Sequence, residues 1–271
     1  MPLALTHLVL HGALEKRDLT SVRWVLFGGE PFPPKHLRTL MAALPNARFS
    51  NIYGPTESNG VTYWVLPGPP ASDDPIPIGR PYANVEAVIV GEDGQPVANG
   101  EPGELLVRTP SMMRGYWGRD DLNEGAFESR CVFENYNDVF LRTGDLVRRD
   151  AQGLLEFLGR KDRQVKIRGY RVELDEVEVA FLSHPAVEAA AVFTVPGVDG
   201  SAGIEGAVTL RVAGAVDVEG LRTHLARVLP RYAMPERVTI LDAMPRTSTG
   251  KIDRQELTRR AHDQARIAVL Q

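Results

Sequence analysis

Cysteine is almost absent. Cys131 is the one cysteine in 271 residues, so no internal disulfide can form, and the chain suits a reducing compartment such as the cytoplasm. Long apolar runs are missing as well. No stretch approaches the roughly 18 residues that a membrane span requires. Met1-Pro2-Leu3-Ala4-Leu5 has neither the basic start nor the apolar segment of a secretion signal. Positive charge is not in excess: the formal net charge is −4, which leaves no basic face of the kind nucleic acid demands. His7 and His11 have the i, i+4 spacing of a helical metal pair, but no third ligand or intervening Glu accompanies them, so they read as ordinary helix residues. No Ser-His-Asp or Cys-His set is convincing, because Cys131 lies in a plain polar stretch. What is left is a soluble globular composition, 43% hydrophobic and 24% charged, long enough for one large or two modest domains.

The order of elements is legible in the pattern. Val22 to Phe27 is a β-branched and aromatic run that ends at Gly28-Gly29, as a buried strand would. Pro33-Pro34 then opens a helix with Leu37, Leu40, Met41 and Leu44 at helical spacing, and a second strand runs from Arg48 to Tyr53. Strand, helix and strand in that order imply a parallel sheet with helices, whose ligands collect at the carboxyl ends of strands. Between Gly79 and Arg160 the texture changes to short strands separated by turns at Asp93-Gly94, Asn99-Gly100 and Asp150 to Gly153. A small β-barrel or a bent antiparallel sheet accounts for it. Beyond Asp162 come a helix from Asp175 to Ser183, strands over 187–195 and 206–212, and an amphipathic helix carrying Leu221, Leu225, Val228 and Leu229. The Gly-rich loop between Pro196 and Gly206 is expected to be mobile. The fold class is therefore α/β plus α+β: a partial parallel sheet with helices, a small β-barrel subdomain and a separate C-terminal α+β domain. The expected boundaries are 1–76, 77–161 and 162–258, with a tail at 259–271.

One run stands out. Residues 159–178 place Gly159 and Gly169 around an apolar-alternating Gln164-Val165-Lys166-Ile167-Arg168 core. Five further stretches occur with it in a fixed order. They are Leu26-Phe27-Gly28-Gly29-Glu30-Pro31; Asn51-Ile52-Tyr53-Gly54-Pro55-Thr56-Glu57; Gly103 to Val107 with Arg114-Gly115-Tyr116; Arg142-Thr143-Gly144-Asp145-Leu146; and Thr249-Gly250-Lys251-Ile252-Asp253-Arg254. Together they resemble the adenylate-forming superfamily of amino-acid adenylation domains, acyl- and aryl-CoA ligases and luciferases, over nearly the whole chain from Val22 to Leu257. The variant they resemble most is the nonribosomal-peptide type of adenylation domain.

The resemblance implies a chemistry. A carboxylate attacks the α-phosphorus of ATP, so binding must neutralise two anions and hold them in line. Glu57 is then expected to hold Mg²⁺, and Thr56 to give a hydroxyl to the same phosphate, with Gly54 turning the backbone. Tyr53 would offer its ring to adenine, although a core aromatic after a strand is the plainer reading of that residue alone. Asn51 has the donor and acceptor for the adenine edge, and Gly29, Glu30 and Pro31 complete the nucleotide set. Asp145 resembles the acceptor of both ribose hydroxyls, with Arg160 near ribose and phosphate, and Arg171 at the phosphate after rotation of the small domain. Asp162 matches the hinge. Lys251 matches the catalytic ammonium on a flexible loop, against the bland alternative of a solvated turn lysine. It is not the tail of a nucleotide P-loop, because Pro245 stands where a glycine is needed and Ile252 where Ser or Thr is. Leu26, Gly28, Ile52, Gly60 and Val61 align with pocket-lining positions and suggest a small or apolar acid.

The resemblance also has a gap. The Ser/Thr/Gly-rich segment ending in Lys that wraps the outer phosphates in this family, and the upstream aspartate for a substrate amine, find no match before Val22. The chain therefore reads as the C-terminal half of such an enzyme, expected to adenylate weakly alone and to expose an apolar sheet edge. The implied cofactors are ATP, Mg²⁺ and the phosphopantetheine of a separate carrier protein. The implied partners are that carrier and a small carboxylic or amino acid, with no nucleic acid and no membrane. An acyl- or aryl-CoA ligase and a non-catalytic fragment that binds nucleotide or carrier protein remain the alternatives.

Overall fold

Strand β1 (Trp24–Gly28) alternates strictly: Trp24 and Leu26 are exposed, while Val25 and Phe27 turn inwards. The inward side is covered by α1 (Pro2–His11) and α2 (Pro34–Ala43), whose Leu5, Val9, Leu37 and Leu40 close around Phe27, Phe32 and Phe49. The rings of Phe27 and Phe32 meet edge to face at 5.2 Å. β2 (Arg48–Tyr53) pairs parallel to β1, as the strand–helix–strand pattern requires. β3 (Thr62–Val65) and β4 (Arg80–Pro81) then extend the sheet antiparallel, so only the β1–β2 pair is parallel. The computed structural model describes residues 1–134, 136–196 and 202–269. Within it the chain forms two compact units, Met1–Asp162 and Arg163–Gln271.

The rest of the first unit is antiparallel. β5 (Glu86–Val90), β6 (Gly103–Arg108), α3 (Asp120–Ala126), β7 (Phe127–Phe133), β8 (Tyr136–Arg149) and β9 (Leu155–Arg160) follow in sequence. The strands order as β5-β6-β8-β7, and β9 also pairs with the long β8. No edge closes on another among the described residues. The sheet is open, so the bent-sheet alternative holds and the barrel does not form. Closure needs a continuous ring of ladders, and here the return strand β9 is spent on the far end of β8 instead.

The second unit opens with a hairpin, β10 (Gln164–Ile167) and β11 (Tyr170–Glu173), joined by two residues of positive φ, Arg168 at 51° and Gly169 at 83°. That backbone matches the twist of the flanking strands. α4 (Leu174–Leu182), β12 (Val187–Pro196), β13 (Ala202–Leu210), α5 (Val218–Val228), β14 (Arg237–Ile240) and α6 (Arg254–Val269) complete it. β12 is apolar on both faces because it is covered on both. Val192 packs with Phe181, Leu221 and Leu225 beneath α4 and α5, while Ala191 and Phe193 meet Leu257 and Ala261 of α6. Of the loop expected to be mobile, residues 197–201 lie outside the described residues, and from Ala202 the chain is already in β13. No helix among the described residues is long and apolar enough to cross a membrane.

Glu178 ties this unit together. It accepts from Arg163 Nη2 at 2.8 Å, from Arg254 Nη2 at 2.9 Å and from the Val192 amide at 2.8 Å. Burial pushes its carboxyl up, yet the bonds from Arg254 and Arg163 outweigh burial and hold it below the ordinary 4.5. A depressed folded-state pKa stabilises above the unfolded value, and that contribution is lost as pH falls through the folded one. Glu178→Gln is therefore expected to cost about 1–3 kcal/mol at neutral pH. The gap to the parent should narrow below about pH 4. Urea unfolding across pH checks this, and a gap that does not change with pH would contradict it. Packing gives a second test. A Cβ on Gly206 would lie 2.6 Å from the fully buried Phe181 ring. Gly206→Ala should destabilise by about 1–3 kcal/mol, and the pair Gly206→Ala/Phe181→Ala should lose less than the sum of the single changes.

Candidate functional site

The loop after β2 is built on a close approach. A Cβ at Gly54 would lie 1.6 Å from the Asn59 carbonyl oxygen, so only glycine lets the loop fold back. Asn59 itself takes a positive φ of 61°. The Val61 amide donates to the Tyr53 carbonyl at 2.8 Å and closes the neck. Thr56 and Glu57 sit in the turn between, with Thr56 exposed and Glu57 half-buried. Glu57 Oε1 accepts from the Tyr116 hydroxyl at 2.7 Å, and its carbonyl accepts from the Met113 amide at 2.7 Å.

A second cluster joins three distant segments. Asp145 is 6% exposed and lies opposite Arg160 in the β8–β9 register. Arg160 Nη1 donates to Asp145 Oδ1 at 2.8 Å and to the Thr143 carbonyl at 2.6 Å. The Tyr53 hydroxyl, arriving from β2, donates to Asp145 Oδ2. Thr143 Oγ1 accepts from the Asp145 amide at 3.1 Å and donates to the Leu105 carbonyl at 2.7 Å. Gly144 at φ 70° leaves room for the guanidinium, since a Cβ there would be 2.7 Å from Arg160 Nη2. Burial, then the Asp145 charge, raises the Tyr53 phenol well above its ordinary range, so it stays protonated as a donor. Burial pulls Arg160 down, but its bonds to Asp162 and Asp145 more than offset this and leave its pKa raised. A carboxylate has about four lone-pair positions. With two used, Asp145 retains acceptors for a pair of hydroxyls, beside a cation suited to an anion attached to them.

The remaining expected residues are spread around this frame. Asn51 is buried and its side-chain amide donates to the Pro77 carbonyl at 2.9 Å. Gly28 lies where a Cβ would meet the Ile52 carbonyl at 1.9 Å, so β1 and β2 run tightly together there. Gly29 has φ 90°, Pro31 is exposed, and Glu30 accepts the Leu3 amide at 2.9 Å, capping the start of α1. Leu26 is 58% exposed on the edge strand. Ile52 is half-buried and Gly60 exposed, whereas Val61 is fully buried in the core with Tyr53 and Leu105. Asp162 closes the first unit and takes Arg160 Nε at 2.9 Å and Nη2 at 2.5 Å. In the second unit Arg171 lies on β11, 3.8 Å from Glu173. Lys251 is exposed on a turn tighter than a free loop. The Thr247 amide donates to the Lys251 carbonyl and Arg246 Nη1 to the Gly250 carbonyl, each at 2.8 Å, with Gly250 at φ 82°. The structure brings Tyr53, Asp145, Arg160 and Asp162 together, while the bond from Tyr116 to Glu57 has no local signal in the sequence.

Among the described residues no three His, Cys, Asp or Glu side chains form a metal cage. Glu57 alone still fits Mg²⁺, which is characteristically held by one or two carboxylates together with substrate phosphates and water.

The matched models complete the picture. Residues 1–117 match the AMP-binding enzyme family and residues 176–251 the AMP-binding enzyme C-terminal domain. The chain belongs to the adenylate-forming AMP-binding enzymes. It is 38% identical over 260 residues to the L-proline--[L-prolyl-carrier protein] ligase of Pseudomonas fluorescens strain Pf-5, covering 96% of this chain and 49% of that protein. Among solved structures, IdnL1 matches with a TM-score of 0.81 at 35% identity, over 90% of this chain and 50% of that one. Holo-PA1221, a nonribosomal peptide synthetase protein containing adenylation and carrier domains, matches at 0.80 and 29% identity, over 95% of this chain and 43% of that one. The chain thus spans about half the length of the prolyl ligase and of IdnL1. The frame of this site should depend on the bond from Tyr53 to the buried Asp145 carboxylate. Tyr53→Phe strands a buried carboxylate oxygen and should cost about 1–3 kcal/mol in urea unfolding. An unchanged midpoint would show that the bond adds nothing to the frame.

Proposed function

We propose that this chain serves the activation of an amino acid, or another small carboxylic acid, and its transfer to the phosphopantetheine thiol of a carrier protein in the cytoplasm. In the first step a carboxylate oxygen bonds to the α-phosphorus of ATP and the bond to pyrophosphate breaks, giving an acyl-adenylate. In the second the carrier thiol, losing its proton, bonds to the acyl carbon and AMP leaves.

The observation that carries this reading is the Tyr53–Asp145–Arg160 cluster, assembled from β2, β8 and β9. The resemblance of the chain to a prolyl-carrier ligase supports it further. In this reading Asp145 accepts the ribose hydroxyls with its spare lone pairs, and Arg160 faces ribose and phosphate. The Tyr53 ring carries adenine while its hydroxyl stays on Asp145. Asn51 reads the adenine edge, and Gly29, Glu30, Pro31 and Gly54 shape the nucleotide's surroundings. Thr56 bonds a phosphate oxygen, and Glu57 would hold Mg²⁺, which supplies charge neutralisation on the phosphates when bound. Lys251 is the cation that stabilises the developing charge of adenylate formation, Arg171 serves the phosphate, and Asp162 is the hinge. Leu26, Gly28, Ile52, Gly60 and Val61 shape the acid's side-chain site, which favours small or apolar acids.

Nucleotide binding is the readout closest to the cluster. Asp145→Ala should weaken binding of a fluorescent ATP analogue about 10-fold or more, as loss of hydrogen bonds to a charged acceptor implies. Unchanged affinity would remove the ribose assignment. Lys251→Ala should leave that affinity within about twofold but reduce ATP–pyrophosphate exchange about 100-fold, the scale of one lost transition-state contact. Asp162→Pro should spare exchange and suppress thioester formation, and an equal loss of both would count against the hinge.

A further inference from the structure

Arg114-Gly115-Tyr116 reads in sequence as framework for the antiparallel region, yet the Tyr116 hydroxyl lies on Glu57. The two segments are bound at several levels. The hydroxyl donates to Glu57 Oε1 and the Met113 amide to the Glu57 carbonyl, each at 2.7 Å. Ser111 Oγ donates to the Ser58 carbonyl at 2.7 Å and lies 3.1 Å from Thr109 Oγ1. Residues 109–116 therefore form a strut along the back of the Glu57 turn.

Tyr116 is itself fixed from the other side. Asn123 of α3 accepts the Tyr116 amide on Oδ1 at 2.7 Å and donates through Nδ2 to the Tyr116 carbonyl at 3.2 Å. The side-chain amide occupies both backbone groups of one residue, which sets the direction in which the phenol leaves the chain. Gly115, at φ 152°, belongs to the same fit, since a Cβ there would stand 3.1 Å from Asn123 Oδ1. The result is a relay from α3 through Asn123 and Tyr116 to one oxygen of Glu57.

We propose that Tyr116 is a positioning residue that orients the Glu57 carboxylate toward the divalent cation accompanying ATP, with Asn123 holding Tyr116 in place. This rests on the reading of Glu57 as the metal-holding residue. Glu57 has three rotatable side-chain bonds, and ordering them on binding would cost rotamer entropy. A phenol already bonded to one oxygen removes much of that freedom beforehand and turns the carboxylate's other lone pairs to a fixed direction. Partners of this kind behind a ligating carboxylate typically contribute about 10–100-fold in metal affinity.

The experiment measures affinity of the full chain for a fluorescent ATP analogue with Mg²⁺ and with EDTA, and takes the ratio as the metal-dependent gain. Tyr116→Phe should lower that gain about 10-fold and leave the EDTA affinity and the melting temperature close to the parent. Asn123→Ala should shift the gain in the same direction. In a Glu57→Gln background, Tyr116→Phe should change nothing further, because its effect passes through Glu57. If Glu57→Gln removes the gain but Tyr116→Phe keeps it, the positioning role is overturned and the metal reading stands. If Tyr116→Phe weakens EDTA binding as much as Mg²⁺ binding, Tyr116 is structural and the proposal fails. If Glu57→Gln keeps the gain, or the parent shows none, the metal reading fails and the proposal falls with it.

Discussion

A buried carboxylate between a phenol and a guanidinium is the constraint on which the first unit depends. Asp145 lies on the long strand β8, Tyr53 at the end of β2, and Arg160 at the end of β9. An ionised group taken from water is tolerated only with partners that replace its hydration. Tyr53 and Arg160 do this, so the mixed sheet and the antiparallel sheet of the unit are locked by the same atoms that the nucleotide is proposed to meet. On the proposed reading one carboxylate would serve both the frame and the nucleotide, and its neighbours would have to satisfy both.

The surrounding architecture explains how so few polar groups can be placed so closely. β8 pairs with β6, β7 and β9, and its register puts Asp145 directly opposite Arg160. Gly144 clears the space for the guanidinium, and Thr143 anchors the bend to β6 through the Leu105 carbonyl. The loop after β2 follows the same logic at Gly54, where the Asn59 carbonyl takes the volume of a side chain. Rigid strands carry each group to the edge, and glycine provides the last sharp turn.

Much of this was legible in the residues. The β-branched and aromatic run up to Phe27 and the helical spacing of Leu37, Leu40 and Leu44 are strong local signals, and β1, α2 and β2 form where they point. β1 is nevertheless an edge strand with Trp24 and Leu26 exposed, and not the buried strand its composition suggested. The turn pairs marked an antiparallel region, although not whether it would close. Other parts depend on partners far along the chain. β13 begins at Ala202 through glycines of low strand propensity, because its ladder to β12 decides the matter. β14 is short and is set by parallel pairing to β13. α3 is a seven-residue helix whose Asn123 acquires its meaning from Tyr116. Tyr116 looked like framework because no local pattern reveals that a phenol will reach Glu57, 59 residues away. Asp145 and Arg160, by contrast, stood in motifs whose family resemblance placed both near a ribose, and the β8–β9 register sets them opposite each other.

The carboxylate at the centre of the second unit has a mechanical meaning. Arg163 is the first residue of that unit, Arg254 opens the helix three residues after Lys251, and Glu178 grips both. The chain entering the unit and the turn bearing the lysine are thus bolted to one point on α4. Two segments about ninety residues apart in sequence thus share one anchor, and a change at Glu178 would release both at once.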